Sequence, residues 1–159
     1  MAQQTARLRE IAAKIGFSTE TLQDTQADGF WAQQEGAWIN GRLRLKIASL
    51  PSEIQRPDLL DPVLALLHGA TSTWYPTLGI AIVSGVPAEA ESLSRAVLDL
   101  RSKLVAEGGS LVLIDAPVEV RREIDVWGPK PPSFALMERL KARFDPGRRL
   151  NPGRFVGGL

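Results

Sequence analysis

Between Arg42 and Leu50 the chain alternates basic with apolar residues: Arg42, Arg44 and Lys46 interleave with Leu43, Leu45 and Ile47. Alternation of period two puts the two sets on opposite faces of a strand. One face then needs a core and the other a polar surface. A sheet covered on a single side satisfies both needs.

The other segments can be read around that strand. Pro51 ends it, and Asp61-Pro62 starts a short helix, with the aspartate as cap and Gly69 closing it after His68. Trp74 to Val83 reads as a second strand with Leu78, Ile80 and Ile82 on one side, and Ser84-Gly85-Val86-Pro87 as a turn. The longest helix runs from Pro87 to about Glu107 on an apolar stripe of Leu93, Val97, Leu100 and Leu104, and stops at Gly108-Gly109. Leu111 to Ile114 is a short apolar strand expected at the centre of a sheet. After the stiff connector of Pro129, Pro131 and Pro132, Ser133 is expected to cap a last helix, Phe134 to Phe144.

Upstream, Thr5 to Ile15 has helical spacing with Gly16 as its stop. Ser18 can cap a short helix through Leu22 and Gln23, and Phe30 to Ile39 suits either helix or loop. Strands alternating with helices imply an α/β or α+β sandwich. The arrangement that fits is α+β: a ferredoxin-like antiparallel sheet covered by helices, with a C-terminal helix and an extended tail. A parallel dinucleotide-binding sheet would want a glycine-rich turn after a strand, and Ser84-Gly85-Val86-Pro87 holds one glycine.

Length and charge bound the function. The 159 residues suit one domain, and the net charge of +1 argues against a general nucleic-acid binder. There is no cysteine, hence no disulfide, thiolate metal site or iron–sulfur cluster on this chain. The first fifteen residues lack the apolar stretch of a signal peptide, and the apolar runs are far short of a membrane span. A cytoplasmic chain is expected.

Little self-contained chemistry is visible. His68 is the sole histidine and reads as a helix C-terminal residue, which leaves no triad and no paired-histidine metal site. The Arg42, Arg44 and Lys46 face is either an exposed polar surface or the lining of an anion pocket. Guanidinium suits a carboxylate because it donates two parallel hydrogen bonds. Arg44 is the central candidate, with Lys46 behind it. Trp31, Trp38, Trp74 and Trp127 read as core or interface anchors. Lys141 and Arg143 complement a helix C-terminus, whereas Arg148, Arg149 and Arg154 lie beyond it and need another partner.

The last segment carries the most specific motif. Phe144-Asp145-Pro146 is followed by Leu150-Asn151-Pro152-Gly153, and Asp125-Val126-Trp127-Gly128-Pro129 precedes both. This pattern resembles the C-terminal signature of FAD-linked oxidases of the vanillyl-alcohol-oxidase type, closest to the FAD-binding subunits of bacterial glycolate oxidases. The likeness is strong from about Leu111 to Leu159, looser over the central elements and slight over the first thirty-odd residues.

The resemblance implies that residues 1–159 form the cap, or substrate, domain of an FAD-dependent 2-hydroxy acid oxidoreductase, with residues 133–159 as the helix and flavin-facing tail. It implies that Asn151, Pro152 and Gly153 approach FAD, and that Arg44 and Lys46 line the substrate side. The expected partners are a flavin-binding domain or chain, other oxidase subunits including an iron–sulfur subunit, and a small 2-hydroxy acid. The location would be cytoplasmic, peripheral to the inner membrane only through those subunits. The glycine-rich flavin-pyrophosphate loop of such enzymes has no counterpart here, so no turnover is expected of these residues alone. The competing expectation is a non-catalytic module that assembles oxidase subunits, and a third is an unrelated ferredoxin-like ligand-binding domain.

Overall fold

The computed structural model describes residues 2–39, 43–54 and 59–159. Arg42, the first residue of the alternating stretch, lies outside them. Two compact units are present, Met1–Gly36 and Ala37–Leu159. The first unit contains α1 (Ala2–Lys14) and most of α2 (Asp24–Ile39). The Ser18-capped helix does not form: residues 17–23 are irregular, and α2 begins at Asp24. The ambiguous segment after Phe30 is helical.

The second unit follows the order β1 (Leu43–Ala48), α3 (Pro51–Ile54), α4 (Asp61–Leu64), β2 (Leu67–Tyr75), β3 (Ile80–Pro87), α5 (Ala90–Ala106), β4 (Ser110–Asp115), α6 (Val118–Glu123), α7 (Phe134–Phe144). The four strands form one sheet in the order β2-β3-β1-β4, and every neighbouring pair is antiparallel. β1 and β2 both run against β3, so they are parallel to each other with β3 between them. β3 and β4 stand in the same relation around β1. This is the split βαβ arrangement of a ferredoxin-like fold.

The alternation in β1 does what its period requires. Leu43, Leu45 and Ile47 are all 0% exposed. Across the ladder they meet Val83 and Ala81 of β3 and Leu113 and Leu111 of β4, so one sheet face is continuous core. The stripe Leu93, Val97, Leu100 and Leu104 of α5 seals that face, with Val63 of α4 and Val120 of α6 beside it. Arg44 and Lys46 fall on the opposite face, Arg44 half-buried and Lys46 exposed.

Several expected boundaries fail. The segment Trp74 to Val83 is a hairpin rather than one strand. β2 ends at Tyr75, Pro76–Leu78 forms a 3₁₀ turn, and Gly79 takes a left-handed conformation at φ 62°. Apolar alternation runs through that turn and hides it; Leu78 is exposed within it. Ser84-Gly85-Val86-Pro87 is strand, not turn. Its glycine is there for packing, since a Cβ on Gly85 would stand 2.9 Å from Cβ of Leu67.

The helix at Asp61 stops at Leu64, and His68 sits in β2 opposite Val86. Gly69 marks the register shift between His68 and Thr71 rather than a helix end. β4 is an edge strand rather than a central one, with Val126 taking its outward Leu113 N–H at 2.8 Å. Neither Asp61 nor Ser133 forms the expected side-chain cap. No described helix is long and apolar enough to cross a membrane.

Candidate functional site

The tail is folded onto its own domain. Asp145 follows α7 and is 7% exposed. Its carboxylate accepts the backbone N–H of Arg149 at 2.8 Å and of Leu150 at 2.9 Å, and pairs with Lys141 Nζ at 2.7 Å. Lys141 also donates to the Leu150 carbonyl at 2.6 Å. One aspartate and one lysine therefore tie the 145–150 loop back to the helix. The Lys141 hydrogen bond, and then the Arg149 and Leu150 N–H groups, lower the Asp145 carboxyl from an ordinary 3.8 to about 2, while burial opposes them.

A depressed carboxyl stabilises the fold above its unfolded value, and that contribution is lost as pH falls through the folded value. The loop should thus hold its full contribution above pH 3.8 and lose it toward about 2. Asp145→Asn is expected to flatten the pH dependence of unfolding across that window. It should also speed tryptic cleavage at Arg148 and Arg149 about tenfold at neutral pH, as local opening becomes easier. Denaturant titrations at stepped pH and a timed digest measure the two effects.

The Asp125–Pro129 segment is anchored from below. Arg101 of α5, only 6% exposed, donates from Nη1 to the Asp125 carbonyl at 2.7 Å. Burial lowers its pKa, and the Asp125 charge works against that shift. The Asp125 carboxylate is occupied by the N–H groups of Trp127 at 2.8 Å and Gly128 at 3.1 Å. Both bonds go to Oδ1 and shape the turn. Trp127 Nε1 donates to the Arg154 carbonyl at 3.1 Å, and its ring meets Phe155 edge-on at 4.9 Å. Behind this contact Phe134, Val156 and Leu159 form a small second core with Met137.

These supports shape a groove of about 930 Å³. Lys46 and Val112 come from the sheet face opposite the core, Trp127 from the turn, and Gly153, Arg154 and Phe155 from the tail. Lys46 and Gly153, candidates far apart in the sequence, therefore line one groove. Gly153 is exposed and its Cβ position has nothing within 4 Å, so a ligand could approach the backbone there.

The remaining candidates are dispersed. Asn151 lines a neighbouring groove, again with Arg154 and Phe155. Arg44 is half-buried between Ser84 and Asp115 in the ladder, and its Nε is shielded from water without a hydrogen-bond partner. Pro152 is exposed and lines neither groove. His68 is exposed on β2, away from both. Arg121 and Asp115 also line the larger groove and have no local motif. Arg154 stood out in the sequence only as a cation beyond the helix. Comparison with family models, curated proteins and solved structures gives no match for this chain.

Proposed function

We propose that this chain is the cap, or substrate, domain of an FAD-linked 2-hydroxy acid oxidoreductase of the glycolate-oxidase kind, acting only with a flavin-binding domain outside these residues. One observation carries the reading. The oxidase-like tail, the Asp125–Pro129 turn and the basic sheet face meet along a single groove. That groove offers exposed backbone at Gly153, an aromatic wall at Trp127 and Phe155, and a cation at Lys46.

FAD, held by the other domain, would supply the acceptor for the substrate hydride. The role of this chain is to bind and orient. Lys46 reaches the groove and suits the carboxylate of a small 2-hydroxy acid. Arg44 stands two residues away on the same face with an unused Nε donor. Trp127 and Phe155 form one aromatic wall. Partners beyond the flavin domain, including an iron–sulfur subunit, belong to the same proposal.

With the chain assembled on its flavin partner and glycolate as substrate, Lys46→Ala or Arg44→Ala should raise KM about tenfold while the complex stays intact. That is the size of one lost charged hydrogen bond. Loss of assembly with unchanged KM in the residual complex would favour the subunit-assembly role instead.

A further inference from the structure

We propose that the second groove, between α7 and the tail, is a docking site for an acidic amphipathic helix of a partner protein. The inference goes beyond the flavin-cap reading; the two grooves share the Arg154 and Phe155 wall, and Asn151 lines this one. One wall is Met137, Leu140, Lys141 and Phe144, which fall at i, i+3, i+4 and i+7 on one face of α7. The other wall is the tail, through Leu150, Arg154, Phe155 and Leu159. The trough holds about 670 Å³.

Its apolar side chains lie open. Phe144 is 81% exposed and Leu150 65%, with Leu140 and Phe155 nearly half exposed. Both walls are nevertheless fixed, by the Asp145–Lys141 clasp and by the Trp127–Phe155 contact. A preformed apolar trough of this size is uncommon on a surface without a partner.

Charge selects the occupant. Arg143, Arg148, Arg149 and Arg154 lie in or next to the groove-lining segments, and none forms an ion pair among the described residues. The nearest cation–anion pair, Lys141 with Asp145, is already closed. A second copy of this chain would bring the same four arginines against these, which disfavours self-association. A concave trough with two walls suits a helix laid lengthwise. A membrane surface is better met by a protruding apolar face. A helix with apolar anchors on one side and glutamate or aspartate flanking them matches both the trough and its charge.

The test uses the full chain and a fluorescein-labelled helical peptide with leucines on one face and glutamates elsewhere. Anisotropy should show saturable binding that weakens as salt is added. Phe144→Asp, at an exposed position that leaves the core intact, should weaken it at least about tenfold, and Arg148→Glu with Arg149→Glu by a similar factor. Equal binding of a peptide with lysine in place of glutamate would overturn the proposal. So would unchanged affinity in Phe144→Asp, or binding to phosphatidylserine vesicles with none to the peptide.

Discussion

Gly157→Ala is expected to destabilise the domain by about 2–5 kcal/mol and to release the tail from α7. Two independent penalties add at this position. Gly157 has φ 63°, a conformation that costs an L side chain energy. A Cβ there would also stand 2.5 and 2.6 Å from two ring carbons of Phe134 and 2.8 Å from Lys130 Cε. Phe134 cannot yield easily, because Val156 and Leu159 pack with it and Lys130 lies over its ring at 4.3 Å. Gly158→Ala separates the two penalties. It has φ 80° but open space at its Cβ, so it should lose only the backbone part, about 1–2 kcal/mol. Urea titration compares the variants. Equal midpoints for the two would show that the Phe134 contact contributes nothing.

Leu45→Ala is expected to cost about 3–5 kcal/mol, the range of a deleted core leucine whose cavity does not collapse. Leu45 is fully buried in an inner strand, with Val83 on one side and Leu113 on the other. Rigid ladders on both sides leave little freedom to close the void. For a domain of ordinary stability that is a large share of the total. The substitution also falls between Arg44 and Lys46, so loss of β1 order would disturb the groove as well as the core. An unchanged urea midpoint would mean that β1 is not central to the sheet.

Legibility in the sequence followed the strength of local signals. β1 and α5 were readable because strict periods of two and near four were each tied to one buried face. α7 was readable because proline bounded it on both sides. The β2–β3 hairpin was not. Leu78, Ile80 and Ile82 keep strand spacing while Pro76 and Gly79 turn the chain between them. Gly69 and Gly85 misled in opposite ways, since a bulge and a close strand contact use the same residue as a turn.

Within the site, Lys46 and Gly153 were picked out separately by charge pattern and motif. Their meeting depends on Trp127 and Phe155 packing together, which no local spacing encodes. Arg101 was invisible for a related reason. It follows Leu100 on a helix read for its apolar stripe, and its partners lie 24 and 25 residues away in an irregular turn. The tail cations remain without ion partners among the described residues. Much of the tail backbone, by contrast, is committed to the domain through Asp145, Lys141 and Trp127.

Under the proposed function, this domain caps a flavin held elsewhere. The purified chain can be incubated with FAD alone, then with an FAD-loaded flavin-binding domain of the glycolate-oxidase type, and followed by size-exclusion chromatography and flavin fluorescence. A colourless chain is expected in the first case, and in the second a co-eluting complex with altered flavin emission. A chain that turns yellow and keeps stoichiometric FAD by itself, or a flavin domain that elutes and emits unchanged, would contradict it.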